Sequence, residues 1–73
     1  MAEVRVECYA GCRGDETPRR LHLEGREIEV SEVLNRWKEP GALFFRVRTQ
    51  EGRIYVLRRE EFVGRWDIPE VLS

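Results

Sequence analysis

The chain has 73 residues, of which 41% are hydrophobic and 37% charged, and its formal net charge at pH 7 is −1. A chain of this length forms one domain, here expected to span residues 1–73, and its small core leaves little room for a buried active site. The near-neutral charge excludes a global field that would attract nucleic acid or a membrane surface, and no apolar run approaches the ~20 residues of a membrane span. Because no signal-peptide pattern opens the sequence, we expect the protein in the cytoplasm.

Alternation of apolar and polar residues predicts three short strands in the first part of the chain, at 3–9, 19–23 and 26–30. Residues 10–18 contain Gly11, Gly14, Asp15 and Pro18, and this composition predicts an ordered loop. Glu24-Gly25 is predicted to be a turn between the second and third strands. His22 would face outward on the second strand. The residues expected to face the core are Val4, Val6, Cys8, Leu21, Leu23, Ile28 and Val30.

Residues 31–39 permit two interpretations. Four apolar residues fall at helical spacing, namely Val30, Val33, Leu34 and Trp37. A short helix at 31–38 would begin at Ser31, whose side chain is a good N-cap. Alternatively, a bulge near Ser31 continues the strand and shifts its parity, which the surrounding β pattern favours. The residues that then share a face would be Val33, Asn35 and Trp37.

The strongest hairpin signal lies at residues 44–59, where two alternating runs flank Glu51-Gly52. A two-residue type I′ loop needs positive φ at both central residues, whereas a three-residue loop over 50–52 needs it only at Gly52. We favour the three-residue loop. It pairs Thr49 with Arg53, Val47 with Tyr55, and Phe45 with Leu57. A slip of one residue would reverse the faces of one strand, so the loop decides which side chains are buried.

The outward face of this hairpin is the candidate binding site. Its members would be Phe44, Arg46, Arg48, Ile54, Val56 and Arg58. We predict that Phe44 stacks on a base and that the three arginines contact phosphate, because cations and aromatic rings together bind single-stranded nucleic acid. Alternatively, the arginines pair with carboxylates on neighbouring strands, which the neutral chain favours and which would argue against this role. The expected partners are Glu27, Glu29, Glu60 and Glu61.

The last predicted strand spans residues 62–68, with Phe62 and Trp66 packing back on the sheet. Trp37 and Trp66 are both expected to anchor the small core. Five or six short strands joined by short turns predict an all-β fold. We expect an antiparallel meander that curls into a barrel or half-barrel of SH3-like or OB-like size.

Metal-binding and catalytic side chains are few. A structural zinc site needs four ligands, and the candidates are Cys8, Cys12 and His22. We therefore expect no metal, no cofactor and no catalytic residue, and His22 is expected to be an ordinary surface residue. Convergence of these three side chains within a few ångströms would instead indicate a small enzyme or a metal protein.

Several motifs along the chain resemble those of a known family. They are Val33-Leu34-x-Arg36-Trp37, Phe45-Arg46-Val47 and Gly52-Arg53-x-Tyr55-x-Leu57, preceded by Glu7-Cys8-Tyr9-Ala10-Gly11 and Arg13-Gly14-x-Glu16-x-Pro18. The pattern resembles a family of short bacterial domains of unknown function, which are free-standing or lie at the C-terminus of Y-family translesion polymerase-like proteins. These motifs are structural, so the resemblance carries over no catalytic or binding residue. It implies a nucleic-acid setting.

The function that the sequence predicts is that of a non-enzymatic interaction module. Its partner would be single-stranded nucleic acid or a protein of a DNA-transaction complex, bound through the arginine-bearing face. The alternative is a protein–protein adaptor or a homodimerising domain that uses a sheet edge or the region of Trp66.

Overall fold

The computed structural model of the protein describes residues 2–8, 17–62 and 64–72. The strands are β1 (Ala2–Glu3), β2 (Arg5–Cys8), β3 (Pro18–Leu23), β4 (Arg26–Glu39), β5 (Ala42–Thr49), β6 (Ile54–Glu60) and β7 (Trp66–Val71). Because β1 and β2 are one N-terminal run interrupted at Val4, six antiparallel strands form a curled half-barrel. The described residues contain no helix, and hence none long and apolar enough to cross a membrane. The all-β prediction is confirmed.

The strands form one sheet in the order β1-β7-β6-β5-β4-β3-β2. From β3 to β7 each strand pairs with the next, as in the predicted meander. The N-terminal run pairs with both ends of this meander: Ala2 lies opposite Ile68 on β7, and Val6 lies opposite Leu21 on β3. A single run thus connects the two edges, and the sheet must curl to allow it.

Strand β4 is 14 residues long and contains the predicted bulge. Its pairing with β5 shifts between Val30 and Glu32, and the Ser31 hydroxyl donates a hydrogen bond to the Arg48 carbonyl at 3.0 Å. Residues 31–38 are therefore strand, and the helical alternative is wrong. The bulge adds one residue to β4 and shifts the alternation of its side chains between the two faces. For this reason the apolar residues of a strand fall at a spacing that is also typical of a helix.

A second register shift in β4, between Val33 and Asn35, was not predicted. It inverts the parity of the strand again, so that Val33 lies opposite the buried Val47 while Trp37 lies opposite Phe44 on the other face. The predicted common face of Val33, Asn35 and Trp37 is therefore wrong. The prediction that Trp37 anchors the core is wrong for the same reason.

The β5–β6 hairpin has the predicted three-residue loop. The Thr49 amide donates to the Arg53 carbonyl at 2.8 Å, and the Gly52 amide donates to the Thr49 carbonyl at 2.9 Å. Gly52 has a φ of 86°, in the left-handed region that glycine adopts without a steric penalty. The register that follows pairs Val47 with Tyr55 and Phe45 with Leu57, as predicted.

The core lies on the concave side of the sheet. Its buried members are Val4, Leu21, Ile28, Phe45, Val47, Tyr55, Leu57, Trp66 and Ile68. The remaining residues predicted to face inward pack against it, half-buried: Val6, Cys8, Leu23 and Val30. Each strand from β2 to β7 thus contributes alternate residues to a single core, as a half-buried sheet requires.

The start of the last strand differs from the prediction. The Gly64 amide donates to the Glu60 carbonyl at 2.8 Å, which closes a turn before β7 begins at Trp66. Phe62 lies in this turn and is 96% exposed, so the prediction that it packs back on the sheet is wrong. Trp66, by contrast, is buried as predicted.

Leu57→Ala tests the position of the core. Leu57 is fully buried, so removing its side chain leaves a cavity and should lower the free energy of unfolding by about 2–5 kcal/mol. Urea denaturation followed by tryptophan fluorescence measures this change. Leu72→Ala is the control, because Leu72 is 42% exposed and should cost less than about 0.5 kcal/mol. Equal costs for the two variants would show that β6 is not in the core.

Gly52→Ala tests the hairpin loop. A Cβ at Gly52 would meet no atom within 4 Å, so the cost should come only from the left-handed backbone and amount to about 1–2 kcal/mol of unfolding free energy. Gln50→Ala, at an exposed position of the same turn, is the matched control and should have little effect. A loop of another type, without positive φ at residue 52, would make the two substitutions equivalent in chemical denaturation.

Candidate interaction face

The convex side of β4, β5 and β6 carries the candidate binding residues. Side chains directly opposite one another on paired strands share a face of the sheet. The set on this side, which we call the outer face, is Glu32, Asn35, Trp37, Phe44, Arg46, Arg48, Ile54, Val56 and Arg58. All four predicted site residues (Phe44, Arg46, Arg48 and Arg58) therefore lie together on one surface.

Stacked planar groups occupy the centre of the outer face. The rings of Trp37 and Phe44 lie parallel within 7°, with their centroids 5.3 Å apart. The guanidinium carbon of Arg46 lies 5.8 Å from the centroid of the Trp37 ring, a distance typical of a cation–π contact. We call these three half-buried side chains the aromatic stack. A face of a sheet that presents two aromatic rings and an arginine offers a broad, rigid contact area.

Arg46 differs from the other arginines of the predicted site. In the described part of the chain it has no carboxylate partner, and its Nε is buried without a hydrogen bond. A buried donor that lacks a partner is costly, and such groups are rare in folded proteins. The guanidinium of Arg46 thus lies over the Trp37 ring, and its Nε donates no hydrogen bond.

Arg48 and Arg58 are each paired with a carboxylate. Arg48 is bonded to Glu32 on β4, and both side chains of this pair are exposed. Arg58 binds Asp67 through two nitrogens, one of them Nε, which lies 3.0 Å from Oδ1. These hydrogen bonds and the charge of Asp67 raise the pKa of Arg58 above its ordinary value. Both guanidiniums are already neutralised within the protein.

The pairing partners differ from those predicted. Arg48 and Arg58 pair with Glu32 and Asp67, and neither residue was among the expected carboxylates. Three of the expected ones have other partners: Glu27 and Glu29 lie near Arg20, and Glu61 lies near Lys38. The expectation of intramolecular pairing is nevertheless correct for these two arginines, and it weakens their role in phosphate contact.

A second group of charged residues crosses β2, β3 and β4. Arg20 lies between Glu29, at 3.1 Å, and Glu7, at 3.5 Å, and His22 is also hydrogen-bonded to Glu7. The hydrogen bond from His22 and the charge of Arg20 lower the pKa of Glu7, and the hydrogen bond and charge of Arg20 lower that of Glu29. Opposite charges on adjacent strands thus stabilise this end of the sheet.

The cysteine and histidine candidates do not form a site in the part of the protein that the structure describes. His22 points outward to Glu7, as predicted, whereas Cys8 packs against the core on the other face. Cys12 lies outside the described residues. Within the described ranges no three side chains of the metal-binding types come together.

Two features of the outer face were missed. The sequence predicts Trp37 as a core residue, whereas a tight turn at Pro40-Gly41 pairs Glu39 with Ala42 and so places Trp37 opposite Phe44. Pro40-Gly41 is a turn signal in the sequence, and counting outward from it pairs Trp37 with Phe44. No signal in the sequence pointed to the pairing of Arg58 with Asp67, because the register between β6 and β7 also shifts, between Val56 and Arg58.

Comparison with models of protein families, with curated proteins and with solved structures finds no match for this chain. The resemblance to domains associated with Y-family polymerases therefore stays a prediction.

The charged group on β2–β4 makes stability dependent on pH. The folded-state pKa values of Glu7 and Glu29 lie below the ordinary value of 4.5, so both carboxylates stabilise the fold above pH 4.5. This stabilisation should be lost as the pH falls through the lowered pKa values. The double variant Glu7→Gln/Glu29→Gln should be less stable at pH 7 and should show a flatter loss of stability between about pH 5 and pH 3.

Urea unfolding at a series of pH values measures this dependence. Glu70→Gln, at an exposed position of β7, is the matched control and should keep the slope of the parent protein. A double variant with the same slope as the parent would contradict the prediction.

Proposed function

We propose that this chain is a cytoplasmic, non-enzymatic interaction module that binds another protein through its outer face. The observation that carries the proposal is the aromatic stack of Trp37, Phe44 and Arg46 at the centre of that face. Tryptophan and arginine are the residues most enriched among those that dominate binding energy at protein interfaces, and aromatic residues are enriched there in general.

The surroundings of the stack favour a protein partner. On either side, the Arg48–Glu32 and Arg58–Asp67 pairs have their charges balanced already. A partner can cover such a rim without having to neutralise it, and interfaces commonly combine an apolar centre with a polar rim. A partner would also bring an acceptor to the guanidinium of Arg46, whose charge no carboxylate in the described part of the chain balances.

Single-stranded nucleic acid at the same face is the second candidate. It is supported by Arg46, whose charge no described carboxylate balances, and by Phe44 as a stacking surface beside it. The resemblance to polymerase-associated domains points the same way. Against it stand the net charge of −1 and the carboxylates Glu32 and Asp67, which would lie near phosphates.

Site-specific photocrosslinking in cells of the source organism tests the proposal. A photoreactive phenylalanine replaces Asn35, which is exposed and lies opposite Arg46 on the outer face. We expect one or a few discrete protein adducts, which disappear when Phe44→Ser or Arg46→Ala removes part of the stack. The same probe at Arg53, an exposed position beyond the hairpin loop, should give none of these adducts.

Amide NMR titration with short mixed-sequence single-stranded DNA and RNA separates the two candidates. Shifts confined to the outer face that weaken as salt rises would support the nucleic-acid candidate and argue against the protein partner. Adducts that are identical at positions 35 and 53, together with no oligonucleotide binding at low salt, would exclude both functions for this face.

A further inference from the structure

An open cleft of about 570 Å³ lies where the N-terminal run and His22 of β3 approach the start of β7. Apolar side chains form its floor, namely Val4, Val6 and Trp66. Nitrogen-bearing side chains form its rim, namely Arg5, His22 and Arg65. We call this cleft the slot. Nothing in the proposed function uses it.

The slot exists because the N-terminal run changes partners. Ala2 and Glu3 pair with β7, and the Val4 amide approaches the Trp66 carbonyl at 3.5 Å. From Arg5 onward the run pairs with β3 instead. The two strands therefore diverge after Val4 and leave a gap in the wall of the half-barrel, through which inward-facing residues are reached from outside.

The lining of the slot combines apolar contact with positive charge. Val4 is 6% exposed and Trp66 8% exposed, whereas Val6 is half-buried, so Val6 offers a larger fraction of its surface to a ligand than either of the other two. Arg5 and Arg65 are exposed at the rim, and Arg5 has no ion pair within the described ranges. None of the described lining residues is acidic. Glu7, the carboxylate bonded to His22, is shared with Arg20 on β3.

We propose that the slot binds a small organic anion. Its apolar ring or chain would lie on the floor, and its anionic group would lie between Arg5 and Arg65. Guanidinium groups form strong, charge-assisted hydrogen bonds with carboxylate, sulfonate or phosphate oxygens. The volume falls in the range of about 300–1,000 Å³ that is usual for small-molecule sites, and such sites combine an apolar lining with a few polar groups.

Fluorescence titration of the whole chain with 8-anilinonaphthalene-1-sulfonate, at about 150 mM salt, tests this site. This probe has the expected combination of aromatic rings and a sulfonate. We expect saturable binding at one site, with amide shifts in NMR confined to residues 4–6, 22 and 64–66. Its uncharged analogue N-phenyl-1-naphthylamine should bind at least about tenfold more weakly, because it lacks the group that the arginines hold.

Substitutions at the rim provide the matched comparison. The double variant Arg5→Gln/Arg65→Gln should raise the Kd at least about tenfold, while its far-UV circular dichroism stays that of the parent. Arg53→Gln removes an exposed arginine that directly follows the hairpin loop and should leave the Kd unchanged. Benzoate should compete with the probe, whereas inorganic phosphate alone should not, since the proposal requires an apolar body.

Three results would overturn the proposal. They are amide shifts that spread over the outer face, a Kd of the double variant within about twofold of the parent value, and equal binding of the charged and uncharged probes. Because the outer face and the slot share no residue, failure here leaves the proposed function intact, and failure of the crosslinking test leaves the slot intact.

Discussion

The register of the β5–β6 hairpin is the constraint on which the other pairings depend. Successive side chains of a strand point to opposite faces, so a slip of one residue would turn every side chain of one strand around. The three-residue loop that ends at Gly52 prevents this slip. With the loop in place, the inner face of the hairpin carries Phe45, Val47, Tyr55 and Leu57. Strand β4 then packs its apolar residues beside β5, and β7 brings Trp66 and Ile68 beside β6.

The composition of the outer face follows from the register of the β5–β6 hairpin. Once the apolar residues of the hairpin are buried, its arginines must lie on the convex side, where they either find carboxylates or cover aromatic rings. The turn at Pro40-Gly41 completes the surface, because it pairs Glu39 with Ala42 and so brings Trp37 across from Phe44. The second register shift of β4, between Val33 and Asn35, lets Val33 lie opposite the buried Val47 on the other face of the same strand. The proposed interaction face therefore results from two turns and one bulge acting together.

The N-terminal run pairs with both edge strands of the meander, and it also leaves the opening that forms the slot. Unpaired edge strands promote unwanted association, and this run pairs with both ends of the meander. It pairs with β7 through Ala2 and Glu3 and with β3 from Arg5 onward, so it leaves β7 after Val4. The gap that results exposes a small apolar floor between arginines. The same feature thus closes the fold and produces the slot.

The sequence by itself determined much of the local structure: the all-β class, most strands, the hairpin loop at Gly52 and the grouping of four candidate residues on one face. It favoured the bulge near Ser31 but left a short helix open as the alternative. These features depend on side-chain alternation and on the φ angles that particular residues tolerate, which a few neighbouring residues control. Only the tertiary structure decided which carboxylates pair with Arg48 and Arg58, that Trp37 lies outside the core while Phe62 lies in an exposed turn, and that the N-terminal run reaches both edges. Those outcomes depend on the register between strands distant in sequence and on how far the whole sheet twists before its edges meet, and no local pattern specifies either quantity.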